Sequence, residues 1–428
     1  MTLNPDSLAT WSKRLELASA RIAADFPGER PQRQPVHTVY GGAQLFSAST
    51  TEKLGEMAST FASRWVPDPG SMVQVLGLSP GLAERVHPKV MDKLRREPVE
   101  DFRIDFEDGY GNRPDDEEDG HSVSTAREVV SAMASGTLPP FIGIRLKSLS
   151  AELHSRALRT LDLFVTTVVS EGGGLPDGFV VTLPKLQDIA QIEVAVAALD
   201  ELESALGIER TPIELMVETP QMIFDIDGTG GIRKWVDAAD GRARGAHFGT
   251  YDYTASVNIT AAHQTMEHPA CDFARNVQQV SLAGTGIWIS DGATNVMPVG
   301  DDRETVHHAM RLHHDHILHS LSHAYYQGWD LHPAQLVTRY AAVYAFFLEG
   351  LEPAGARLSN FVDSAAKATL IGDVFDDAAT GQGLLNYFLR AINCGAITED
   401  DATSRTGLTA PELRTRSFLA ILEGRRGG

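Results

Sequence analysis

The feature that most constrains the fold is a rhythm. From about residue 37 to about residue 340, short apolar segments alternate with segments of helical periodicity, and the apolar segments run out into polar residues. TVYGGAQLF, DFRIDFED, FIGIRLK, GFVVTLPK, IELMVET, AHFGTYDY, GIWISDG and GWDLHP read as eight strands. The intervening helices carry apolar stripes: Leu54, Met57, Phe61 and Trp65 after the first strand, and Leu153, Leu158, Leu161, Val165 and Val168 after the third. Ile189, Ile192, Val196, Leu199 and Leu206 form the stripe after the fourth. Short continuous apolar runs, rather than alternating ones, mark a parallel sheet covered on both faces. Eight strand–helix units in this length predict an α/β fold, a (β/α)8 TIM barrel.

The rest of the chain is read around that barrel. Residues 1–36 are expected to form an N-terminal helix, with Leu8, Trp11, Leu15 and Ile22 on one stripe, and a Pro-rich linker, GERPQRQPV. The barrel domain covers 37–340, with an insertion at 66–100 after its first helix, and 341–428 reads as an appended helical region. Ser49 with Glu52, and Thr409 with Glu412, have the spacing of capping boxes.

A net charge of −20 disfavours nucleic acid or an anionic membrane as a partner, but not a small anion held by local arginines. Two cysteines, Cys271 and Cys394, exclude a disulfide framework and a cysteine-rich zinc site, and fit a reducing compartment. The longest apolar run, YAAVYAFFL, is about half of a membrane span, and the N-terminus lacks the apolar core of a signal peptide, so a cytoplasmic location is expected.

In a TIM barrel the active site lies at the C-terminal ends of the strands. There the sequence places Asp105, Glu107 and Asp108 after the second strand, Arg145 and Lys147 after the third, and Lys185 after the fourth. Glu218 follows the fifth strand, Asp252 the sixth, Asp291 the seventh and His332 the eighth. Glu218 and Asp252, from adjacent strands, can hold a hard cation such as Mg²⁺ or Mn²⁺ while leaving positions for substrate oxygens. Arg145 can grip a carboxylate with its fork. Together they make a site for a 2-oxo acid or its enolate. The alternative is an ion network of Glu218 and Asp252 with Lys185 and Arg145 that merely closes the barrel.

Seven segments, in order, resemble the citrate lyase β-subunit and 2-oxo-acid aldolase family, within the pyruvate/phosphoenolpyruvate-binding barrel superfamily. They are AQLFSASTTEKLGEMA, IDFEDGYG with STAREVV, IGIRLKS, VTLPKLQ, LMVETPQMIFD, AHFGTYDYTASVN and GWDLHPAQL. The resemblance implies Glu218 and Asp252 as Mg²⁺ ligands and Arg145 as the clamp on substrate and enolate. It implies Glu107 and Asp108 as acids that orient waters or the arginine, Lys185 as a pocket wall, and a homo-oligomer, trimer or hexamer. The chain departs from the family in lacking the Gly-Lys before the closing His-Pro segment and in flanking Asp252 with Tyr251 and Tyr253. The reaction implied is a Mg²⁺-dependent aldol- or Claisen-type cleavage or formation of a carbon–carbon bond. The substrate would be a small 2-oxo or hydroxy acid or an acyl thioester of coenzyme A. Asp291, His332 and a metal-bound water are the candidates for the base. Other enolpyruvyl chemistry, or a barrel that binds a metabolite without turning it over, are the alternatives.

Three features are read more plainly. Asp115, Asp116, Glu117, Glu118 and Asp119, beyond GNRP, are expected to form a solvated acidic loop, with Gly109–Gly120 free to move over the mouth. DIDGTGG lacks the partners of a calcium or phosphate loop and reads as a turn. In VHHAMRLHHDHILHSLSH, His316, His319 and His323 share a helical face, which makes a transition-metal site conceivable, although packing or capping is the simpler role.

Overall fold

The computed structural model describes residues 2–363, 369–371, 374–376 and 378–426. Eight parallel strands are ordered β7-β6-β5-β4-β3-β2-β1-β8. They are β1 (His37–Gly42), β2 (Asp101–Asp105), β3 (Phe141–Arg145), β4 (Phe179–Leu183), β5 (Ile213–Val217), β6 (Ala243–Phe248), β7 (Trp288–Ser290) and β8 (Gly328–Asp330). The ring closes where the Asp291 amide donates to the Gln327 carbonyl at 2.8 Å and Ala293 bridges to Trp329. Helices separate successive strands, so the architecture is the (β/α)8 barrel that the strand–helix rhythm predicts. No helix among the described residues is long and apolar enough to cross a membrane.

The barrel interior is more polar than the Val, Ile and Leu layers usual for this fold. In β2, DFRID, the apolar Phe102 and Ile104 alternate with Asp101, Arg103 and Asp105, and all five are buried. Arg103 spans the interior: its Nη2 donates to Asp101 of its own strand and to Glu214 of β5, both at 2.7 Å. Glu214 also takes Arg244 at 3.0 Å and lies 3.1 Å from His247 Nε2, so its carboxyl stays well below the usual range: burial pushes it up, but the surrounding cations outweigh that. The crossing needs a glycine, because a Cβ at Gly143 of β3 would lie 2.6 Å from Arg103 Nη1 and 2.2 Å from the Val180 carbonyl oxygen.

Several local expectations change. Asp115–Ser135 is a helix whose first turn carries the acids 115–118, so that stretch is not a loop. Their charges favour a helix N-terminus, and Glu118 is buried against Lys147 at 3.1 Å and Thr160 at 2.7 Å. Any mobile lid is thereby reduced to the turn before Asp115. The insertion is two helices, Pro69–Leu76 and Pro80–Arg96. Ser49 precedes the helix Thr50–Trp65 without making a side-chain cap, whereas Thr409 and Glu412 do form their capping box. The N-terminal helix Pro5–Asp25 fully buries none of its residues: of its apolar stripe Leu8 is half-buried and Trp11, Leu15 and Ile22 are exposed. The C-terminal region has helices and also a hairpin, Thr369–Ile371 with Val374–Asp376; residues 364–368, 372–373, 377 and 427–428 lie outside the described residues.

Removing the central cation alone leaves buried Asp101 held by the Thr38 hydroxyl without its charge partner and deprives Glu214 of one of its cations. Arg103→Met is expected to cost about 3–5 kcal/mol of unfolding free energy, measured by urea denaturation; a loss below 1 kcal/mol, the range of an exposed pair, would contradict this account.

Candidate active site

At the C-terminal mouth the strand ends converge as the fold requires. Arg145, the last residue of β3, is buried. Its Nε and Nη2 grip Asp105 of β2 at 2.7 and 2.5 Å, so the fork expected for substrate is spent on a neighbour. Nη1 is the edge left over, 3.3 Å from Glu107 Oε2 and 3.9 Å from the Met216 sulfur. The ring of Tyr40, from β1, covers the guanidinium at 4.9 Å and packs on Trp329 of β8 at 4.7 Å. Asp105 is itself locked, because its two oxygens accept the amides of Glu107 and Gly109 at 2.9 and 2.7 Å. Lys147 is turned to the same structural end: its Nζ donates to the carbonyls of Phe106 and Gly111 at 2.7 and 3.1 Å, fastening the FEDGYG turn.

Three carboxylates gather around the Lys185 ammonium and a fourth takes its backbone amide. Lys185 Nζ is hydrogen-bonded to Glu107 and, at 2.9 Å, to Asp108; it lies 3.8 Å from Asp252. Its backbone amide donates to Glu218 Oε1. Lys185 sits at φ +51°, in the left-handed region that a side-chain-bearing residue rarely adopts. That conformation lets one residue serve Glu218 with its main chain and Glu107 and Asp108 with its side chain. Glu218 follows β5 and is 1% exposed; Asp252 stands in the first turn of the helix Thr250–Ser256. The two elements approach so closely that a Cβ at Gly249 would lie 2.4 Å from Glu218 Oε2.

Counted formally among the described residues, Asp105, Glu107, Asp108, Glu218 and Asp252 face only Arg145 and Lys185, so the ion network does not balance. The imbalance shows in the acidities. Burial, then the charge of Asp252, pushes Glu218 up to about 8, against the pull of the Lys185 amide and Arg145. Burial pushes Glu107 up to about 7, with Arg145 opposing and Asp108 assisting. Asp252 is also raised, by burial first. Asp108 lies below the usual range: burial raises it, but its bonds to Glu107 and Lys185 outweigh that. Glu107 Oε2 is buried without a hydrogen-bond partner. A set of carboxylate oxygens with excess negative charge and an unsatisfied acceptor fits a hard divalent cation.

The structure gives Asp291 and His332 other roles than base. Asp291 is fully buried, with Oδ1 held by Arg275 Nε at 2.9 Å and by the Gly292 amide at 2.8 Å, and Oδ2 by Ser320 at 2.5 Å. His332 caps the helix Pro333–Glu349, its Nδ1 accepting the Ala334 amide at 3.1 Å. That uses its lone pair and leaves the other nitrogen protonated. Burial lowers the His332 pKa, which keeps the ring neutral. Tyr40 was not singled out by sequence. Its hydroxyl is buried without a hydrogen-bond partner, and its only signal was a lone aromatic at a strand end before two glycines.

A model of the family described as Domain of unknown function (DUF6986) matches residues 15–421. No curated protein sequence matches. Among solved structures, a citrate lyase from Burkholderia xenovorans LB400 superposes with a TM-score of 0.57 at 18% identity, over 89% of this chain and 100% of that one. A Haloferax volcanii malate synthase, in a magnesium/glyoxylate complex, gives a TM-score of 0.48 at 15% identity, over 91% of this chain and 99% of that one. The citrate lyase likeness establishes a shared fold.

Because Glu218 and Glu107 hold protons in the folded state that the unfolded chain has shed, their contribution to stability is full below the ordinary glutamate value and is lost as pH rises through about 7 and 8. Without added metal, the melting temperature is expected to fall between about pH 5 and about pH 8.5, and added Mg²⁺ should flatten the fall by taking the place of the protons. A melting temperature independent of pH across this window, read by differential scanning calorimetry, would overturn the assignment.

Proposed function

We propose that this chain, which belongs to the DUF6986 family, is a metal-dependent carbon–carbon lyase or aldolase acting on a small hydroxy or 2-oxo acid, as such or as a coenzyme A thioester. The observation that carries the reading is the unbalanced mouth: five carboxylates meet two cations, and the Arg145 edge turned to it is held by Glu107 at 3.3 Å. Glu218 and Asp252 are the residues that would hold Mg²⁺ or Mn²⁺. Bound there, the ion would polarise a substrate carbonyl and offset the charge of an enolate.

The chain's own residues divide the remaining work. Arg145 offers Nη1 to a substrate carboxylate or enolate oxygen, and its grip on Asp105 fixes the direction of that donor before substrate arrives. Tyr40 covers the face of the guanidinium and keeps water from it. Glu107, with a pKa near 7, is suited to take the hydroxyl proton in cleavage and return it in addition. In cleavage the O–H electrons form the new carbonyl as the carbon–carbon bond breaks, and its electron pair passes into the enolate next to Arg145. Lys185 keeps Glu107 and Asp108 in place and limits their mutual repulsion. The seven family-like segments and the fold shared with a citrate lyase support this class of chemistry. We further take the protein to act as a cytoplasmic homo-oligomer, a trimer or hexamer, which sedimentation of the purified chain would report.

Glu218→Gln is expected to abolish Mg²⁺-dependent turnover of 4-hydroxy-2-oxo acids while leaving the circular dichroism spectrum unchanged. A structure with Mg²⁺ and oxalate in which no ion lies between Glu218 and Asp252 would sink the reading. Arg145→Lys keeps a charge but loses the two-point grip on Asp105, so kcat should fall on the order of 10²–10³-fold; near wild-type turnover would remove Arg145 from the chemistry.

A further inference from the structure

Away from the mouth, Asp272, His319 and His323 bring three metal-ligating groups together. One ligand atom from each lies within 4.8 Å of the other two. Asp272 stands in the first turn of the helix Pro269–Leu282; His319 lies in the last turn of the helix Arg303–Ser322, and His323 is its C-cap. The imidazoles, one helical turn apart, have centroids separated by 4.4 Å. His319 Nε2 is 2.8 Å from Asp272 Oδ1, a hydrogen bond; bonds of about 2.0–2.1 Å to one tetrahedral Zn²⁺ would set these atoms about 3.3 Å apart, so a small spreading admits the ion.

The surroundings prepare these groups as ligands. His323 Nδ1 donates to the His319 carbonyl at 2.9 Å, which leaves the lone pair on its Nε2. Arg275 Nη1 holds Asp272 Oδ1 at 2.6 Å and so orients the carboxylate. Backbone carbonyls and charged partners of this kind are what orient ligands at metal sites. All three residues are half-buried, within reach of an ion from solvent. His316, which the helical face had grouped with them, is instead bonded through Nδ1 to Thr294 at 2.9 Å, and Asp272 from the adjacent helix takes its place.

We propose that Asp272, His319 and His323 form a second metal site, selective for a borderline transition ion such as Zn²⁺, that clips the helix before β7 to the helix before β8. Two imidazole nitrogens and one carboxylate suit Zn²⁺, whereas the all-oxygen mouth suits Mg²⁺ or Mn²⁺. Three protein ligands leave one tetrahedral position for water. The ion replaces the proton shared between His319 and Asp272. Arg275, which orients Asp272, also holds Asp291 at the end of β7, so the clip stiffens the quarter of the barrel closed by the shortest strands.

The test uses the full chain, stripped of metal and held in excess Mg²⁺ so that the carboxylate mouth is saturated. Calorimetric titration with Zn²⁺ is expected to show one site per chain and a raised melting temperature. His323→Gln and Asp272→Ala should each weaken Zn²⁺ binding more than about 100-fold, since orienting partners alone are worth 10–100-fold. His308→Ala, exposed on the same helix, should bind as the wild type does. With Co²⁺ in place of Zn²⁺, the wild-type protein should show paramagnetically shifted signals from two imidazole N–H groups, which decides the matter even if a variant fails to fold. Failure to retain Zn²⁺ against Mg²⁺, wild-type affinity in His323→Gln, or the absence of both imidazole signals would each overturn the proposal.

Discussion

A guanidinium inside the barrel organises the rest of this molecule. Arg103 reaches from β2 to Glu214 on β5 while holding Asp101 on its own strand. Burying three charges carries a large desolvation cost, which good geometry and added hydrogen bonds offset. The arrangement supplies part of these: Thr38 donates to Asp101 at 2.8 Å, and Arg244 and His247 attend Glu214, while Asp101 Oδ1 and Arg103 Nε are buried without a hydrogen-bond partner. An apolar layer tolerates small shifts, but a guanidinium between two carboxylates does not, so this layer sets how β2 and β5 stand relative to each other. Both strands run directly into the mouth, one ending in Asp105 and the other leading to Glu218.

The mouth repeats the same physics with the balance reversed. Below it, cations and anions match and Glu214 stays ionised; above it, carboxylates outnumber cations and Glu218 and Glu107 hold on to protons. Excess charge of one sign in a partly dry site is tolerable only if something else enters, either protons or a metal ion. Lys185 adopts a left-handed backbone to serve three of these acids, Glu218, Glu107 and Asp108, and Gly249 leaves out a side chain so that Glu218 can fit.

How far sequence carries the site depends on distance along the chain. The eight strands, their parallel order and the collection of Glu107, Asp108, Arg145, Lys185, Glu218 and Asp252 at one end follow from period and topology, since every parallel strand in a barrel ends on the same side. The acids 115–119 were harder. Their composition suggests a loop, but charges of that sign favour a helix N-terminus, and Lys147, Arg156 and Thr160 from distant segments bury Glu118. Local composition carries no record of such partners.

By itself the sequence determined the class of fold and which residue types reach the mouth, because backbone periodicity and strand direction are local and repeat. Only the tertiary structure decided what each of those residues is free to do. Arg145 has its fork spent on Asp105, Asp291 is committed to Arg275 and Ser320, and His332 is a helix cap. Asp272 joins two histidines some fifty residues away. Whether a hydrogen-bonding group is available or already used depends on neighbours within about 3 Å in space. Those neighbours come from other strands and helices, and no pattern along the chain encodes them.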